Sequence, residues 1–127
     1  FEHRSFGEEL ALCQRYYYRH ASDGANQNML GVGFCDSATA AVMQIVPPVS
    51  MRADPTALET TGTAANYGVR EGGGVDVACN SVPTLSGDST NNVFVVGYPV
   101  AGGLTADSGC LGRAVASGAH LSFFSEL

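Results

Sequence analysis

The chain has 127 residues, the size of one domain with a core of its own. Only 14% of them are charged, against about 25% in an average soluble domain, and six arginines with no lysine face twelve carboxylates for a net charge of −6. That balance speaks against a basic phosphate-binding face and so against a nucleic-acid partner. No apolar run approaches the roughly 18 to 20 residues of a membrane span, so no membrane insertion is expected.

Residues 5–20, SFGEELALCQRYYYRH, carry the helical signature of the chain and predict a helix over the whole stretch. Ser5 followed three residues later by Glu8 is a capping box. Glu8 and Glu9 fall in the first turn and Arg15, Arg19 and His20 in the last, complementing the helix dipole. Phe6, Leu10, Cys13 and Tyr17 recur at steps of four, three and four, with Leu12 and Tyr16 widening the face. That face needs an apolar partner. Residues 20–28, with Gly24, supply the helix stop.

Short strands and turns follow. Residues 29–35, MLGVGFC, read as a strand whose glycines at 31 and 33 leave one face bare for another backbone or an aromatic ring, with the helix tyrosines as candidates. Residues 39–46 form a second strand closed by Pro47 and Pro48, and residues 49–56, between prolines, a short edge strand. Another strand starts over residues 57–61, and after a loop at 61–66 a brief one at 67–70 leads to a tip at Gly72, Gly73 and Gly74. Residues 75–79 alternate with a period of two. The polar loop 86–92 precedes VFVV at 93–96, the clearest strand, and 110–116 and 120–124 complete the set after a glycine-rich turn region. Strands spaced by about 8 to 12 residues with turn signals between them indicate an antiparallel sandwich or barrel. The expected fold is mainly β: an antiparallel, jelly-roll-like β-sandwich of about eight strands preceded by one N-terminal α-helix.

Little here carries chemistry. His3, His20 and His120 are scattered and none stands in a nucleophile setting. The glycine triplet lacks the lysine and the following helix of a phosphate loop, and no carboxylate pair has a glycosidase spacing, so no enzyme is expected. Cys13, Cys35, Cys79 and Cys110 form no C-x-x-C and lie in apolar settings, which predicts reduced, mostly buried thiols. Without ligand pairs, neither a metal site nor a cofactor is expected. Asp88, Asn91 and Asn92, with Tyr67 and Tyr98 as stacking partners, are candidates for a carbohydrate site, since sugars need amide and carboxylate hydrogen bonds and an aromatic face. A solvated turn is the competing reading of that loop.

The opening FEHRS followed by GEELALCQRYYYR resembles a motif near the C-terminal end of tailed-phage and prophage virion proteins, especially tail fibres. Residues 48–56 (PVSMRADPT) are similar to the family's "PV-MRA-PT" element, 103–107 (GLTAD) to its "GLTA" turn and 122–127 (SFFSEL) to its terminal strand ending in "AEL". Ser125 replaces the family's usual alanine, a departure expected to matter little, and of the cysteines only Cys13 belongs to the shared motif.

The resemblance implies a virion protein of a tail fibre or other appendage, assembled in the cytoplasm of a bacterial host, where thiols stay reduced. It further implies a homotrimer joined to other virion proteins upstream, in keeping with a chain that opens on Phe1 rather than methionine. Residues 1–20 are expected as the helix and junction, and 21–127 as the C-terminal β-sandwich domain. Phe6, Leu10, Tyr16 and Tyr17 are the expected oligomer interface, one helix face on its own sheet and another against sister subunits. The expected function is binding of a host-surface glycan or receptor by three copies acting together. The alternative is a purely structural trimerisation, capping or decoration module.

Overall fold

The computed structural model describes residues 3–22, 28–74 and 76–125. The capping box forms as the sequence implies: Ser5 Oγ accepts from the Glu8 amide at 3.2 Å, and Glu8 Oε2 accepts from the Ser5 amide at 3.0 Å. The helix, α1 (Phe6–Gln14), is much shorter than expected. Tyr17–Ala21 is instead a strand, β1, paired antiparallel with the last strand, β10 (His120–Phe124), from Tyr17 opposite Phe124 to Ala21 opposite His120. Three consecutive tyrosines favour a pleated surface, and the ladder to β10 outweighs the charge pattern that suggested more helix. β1 therefore runs through the division placed after residue 20. The Arg15 carbonyl at the helix end accepts from the Arg52 amide at 2.8 Å and from the Ser125 hydroxyl at 3.1 Å. Ser125 thus ties the helix to the body, which the expectation of a neutral substitution missed.

The remaining strands are β2 (Asn28–Ser37), β3 (Ala40–Ile45), β4 (Ala57–Glu59), β5 (Tyr67–Glu71), β6 (Asp76–Ala78), β7 (Thr84–Leu85), β8 (Phe94–Pro99) and β9 (Gly109–Ala114). They build a three-stranded sheet, β1-β10-β4, and a seven-stranded sheet, β6-β5-β9-β2-β3-β8-β7. Every pairing is antiparallel. The fold is mainly β and sandwich-like with an N-terminal helix, as expected, and has ten strands among the described residues rather than about eight. β1 and β7 are the additions. Residues 49–56 form no strand. Their amides bond one element each, Met51 to the Asn91 carbonyl, Arg52 to Arg15 and Thr56 to Phe124, so no ladder develops. The expected helix stop falls mostly on residues 23–27, and the start of the 75–79 strand on residue 75, which lie outside the described residues.

The core lies between the sheets. Phe94 of β8 meets Phe123 of β10 at a ring-centroid distance of 4.3 Å, and Tyr67 meets Tyr98 edge-on at 6.3 Å. Each such ring removes apolar area worth about 2 to 3 kcal/mol. Tyr67 also clamps the two sheets: its hydroxyl donates to the His120 carbonyl at 2.5 Å and accepts from the Thr61 amide at 3.0 Å. At Gly33 the bare face is occupied by backbone, as expected; a Cβ there would clash with the Val42 carbonyl oxygen. The helix tyrosines do not fill that space.

Candidate assembly surface

Antiparallel register decides which side chains of the seven-stranded sheet face the core and which face away. Tyr67, Val69, Gly112, Met43 and Val96 point inward and are buried. One set outward forms a row across five strands: Arg70 on β5, Leu111 on β9, Val32 on β2, Gln44 on β3 and Val95 on β8 are successive register partners. Phe34 and Val42 belong to the next row. This outer face is mainly apolar at its centre. Val32 is 58% exposed and Phe34 48%, and together they make a ridge along β2.

Grooves flank that ridge. On the β5 side, Arg70, Val32, Gly109 and Leu111 line one of about 490 Å³. On the β8 side, Phe34, Asp36, Gln44, Asp88 and Val95 line one of about 470 Å³. A contiguous apolar face of this kind, left uncovered, marks a surface for another molecule.

The helix presents a second accessible surface. None of its residues is buried, so the apolar stripe does not serve as a core face. Phe6 is 83% exposed and Leu10 is also exposed. Tyr17 leans on Phe124 at 4.9 Å and donates its hydroxyl to Ser122 Oγ at 3.1 Å, while the Arg52 guanidinium lies 6.0 Å from the Tyr16 ring centroid. An open cleft of about 570 Å³ separates α1 from Val49. The expected interface residues thus divide into two that project to solvent and two that lean on the body.

The expected carbohydrate site does not assemble. Tyr67 and Tyr98 are inside the core, where no sugar can reach their faces. Asp88, Asn91 and Asn92 do share the loop between β7 and β8. Asn91 Nδ2, however, donates to the Met51 carbonyl at 3.4 Å, and Asn92 Oδ1 accepts from the Ser50 hydroxyl, so both amides hold the neighbouring loop. The Asp88 carboxylate accepts from Ser86 Oγ at 3.4 Å and borders the β8-side groove beside Phe34.

Sequence reasoning passed over Val32, Phe34, Val42, Val95 and Leu111. The available signal was that every residue of MLGVGFC other than its glycines is apolar. A strand apolar on both sides has both sides covered, whereas only the glycine face had been assigned a partner.

The buried polar groups serve structure. Glu71 Oε1 accepts from the Thr105 amide at 2.6 Å and from the Cys35 thiol at 3.3 Å. Burial, then the hydrogen bond with Cys110 and the nearness of Glu71, push the Cys35 thiol up to about 12. Burial alone pushes Cys79 to about 12, and it raises Cys110 as well. Such thiols stay protonated and unreactive at neutral pH. Cys13 is exposed, so the expectation of mostly buried thiols holds for three of the four. A thiol-specific reagent at pH 8 is expected to label Cys13 alone in the folded chain and all four after denaturation. Because Cys35 and Cys79 bind their protons more tightly folded than unfolded, their contribution to stability is full below pH 9. It is lost as the pH rises from 9 toward about 12, which alkaline unfolding measured against a Cys79→Ala chain will show.

Burial pulls His20 and His120 below the ordinary imidazole range. His120 Nδ1 lies 3.3 Å from Ser122 Oγ, but Ser122 is fully buried and also takes the Tyr17 hydroxyl, so the pair offers no nucleophile to a substrate. Among the described residues no group of three or more His, Cys, Asp or Glu is placed to hold a metal ion, and no helix is long and apolar enough to cross a membrane. No family model, curated protein or solved structure matches the chain.

Proposed function

We propose that the chain is the C-terminal domain of a tailed-phage tail fibre or related virion appendage, acting as a homotrimeric structural module that assembles in the bacterial cytoplasm. The observation that carries the assembly reading is the uncovered apolar face of the seven-stranded sheet, with Val32 and Phe34 at its centre. The virion reading rests on the EELALCQRYY motif and the three later segments that resemble the tail-fibre family. No catalytic role is part of the proposal. Mass spectrometry of purified particles that encode the chain tests it: peptides of this domain in the particle, in a copy number divisible by three, are expected. Their absence would sink the virion reading.

One observation favours a second reading, the binding of a host-surface glycan. The β8-side groove brings an exposed aromatic ring, Phe34, together with two carboxylates and an amide, Asp36, Asp88 and Gln44. The two readings compete for one groove, which cannot hold a sugar while another subunit covers it. Under the glycan reading, Asp88→Ala lowers binding of the isolated domain to host glycans at least about tenfold, the scale of one lost charged hydrogen bond. Unchanged binding would remove Asp88 from any such site.

A further inference from the structure

We infer that copies of this chain pack the outer faces of their seven-stranded sheets around an axis parallel to β2, with Arg70 of one copy set against Asp88 of the next. The inference rests on the proposed function only in taking the working form to be several copies.

Three features of the outer face lead to it. The first is its apolar centre, the Val32 and Phe34 ridge between two grooves of similar size, about 490 and 470 Å³. A ridge bordered by hollows on both sides fits a second copy of itself, because each ridge can rest in a neighbour's groove.

The second is charge. The β5 side of the face is basic through Arg70, which has no ion pair among the described residues; Asp76, its register partner on β6, is instead engaged by Arg113. The β8 side is acidic through Asp88, in the loop between β7 and β8, which has no ion pair among the described residues. Unmatched charges of opposite sign at opposite edges suit an interface in which one copy's left side meets the next copy's right side.

The third is height along the strands. Arg70 lies in the same transverse row as Val95, and Val95 lines the groove that Asp88 borders. That row crosses four inter-strand spacings of about 4.8 Å, so Arg70 and the groove edge that carries Asp88 sit roughly 20 Å apart at one level. Rotation about an axis parallel to the strands preserves height and exchanges sides. It therefore brings the basic edge of one copy to the acidic edge of the next. An axis perpendicular to the strands would set Arg70 near its own equivalent, where like charges repel.

Charge reversal tests the arrangement. Sedimentation velocity compares the wild-type chain with Arg70→Glu, with Asp88→Arg, and with both changes in one chain, each checked for folding by thermal melting. Each single-sided reversal is expected to weaken assembly at least about tenfold, since it sets like charges together. The combined chain is expected to regain it. Oligomers insensitive to both reversals, or a combined chain no better than its parents, would overturn the inference. If Arg70→Glu loses its fold beside Asp76, the acidic-side reversal still decides, because it must come apart. A wild-type monomer refutes the self-assembly reading itself. A wild-type oligomer indifferent to these charges refutes only the strand-parallel packing of the outer faces and directs attention to Phe6 and Leu10.

Discussion

Gly33→Ala is expected to destabilise the domain by about 3 kcal/mol or to prevent folding, although it adds a single methyl group. A Cβ at this position would overlap the Val42 carbonyl oxygen and sit 2.8 Å from its carbonyl carbon and 3.0 Å from the Met43 Cα. All three are backbone atoms of the paired strand β3 and cannot rotate away. Relief requires β2 and β3 to separate, which strains the ladder at the middle of the seven-stranded sheet. Overpacking typically costs about 1 to 3 kcal/mol where side chains can adjust, so a backbone obstacle belongs at the top of that range. Gly87→Ala is the control, since a Cβ there meets nothing within 4 Å. Urea denaturation should place the Gly87 variant within about 0.5 kcal/mol of wild type. Equal effects of the two substitutions would contradict the close approach of β2 and β3.

The second large effect is expected at Asp76. Arg113 is only 3% exposed, and Asp76 Oδ1 is its ion-pair partner through Nη1, while Nε and Nη2 have no hydrogen-bond partner among the described residues. Removing Asp76 leaves a guanidinium charge buried and uncompensated. Losses of this kind run to about 3 to 5 kcal/mol, and the 44% exposure of Asp76 sets the expectation at the lower end, about 3 kcal/mol. Replacing both members, Asp76→Ala with Arg113→Met, removes the stranded charge and fills its place with apolar volume. The double variant is therefore expected within about 1 kcal/mol of wild type. Additive losses in the double variant would show that the pair is net stabilising rather than a matched burden.

The order of strands along the chain was legible because glycine, proline and polar clusters punctuate it and because VFVV and HLSFF have strand composition whatever their neighbours. The boundary between α1 and β1 was not. Local signals at residues 15–20 favour helix, and the competing ladder to β10 comes from residues more than a hundred positions away, which no local pattern contains. The capping box was readable because both of its partners lie within four residues. Tyr67 and Tyr98 were misplaced for a related reason: a tyrosine beside a glycine in a short strand looks the same whether its ring lies in the core or at a rim. Only the pairing of β5 with β9, and of β3 with β8, turns those rings inward. The outer face of the sheet was hidden in the sequence because its residues come from β9, β2, β3 and β8 and meet only through register.

Sedimentation equilibrium on the chain, with and without Phe34→Asp, tests the assembly claim most directly. A wild-type mass three times the 13.1 kDa of one chain is expected, together with a folded Phe34→Asp chain that sediments as a monomer because a carboxylate now stands on the apolar ridge. A wild-type chain that remains at 13.1 kDa at all concentrations, or a Phe34→Asp chain as fully assembled as wild type, would contradict it.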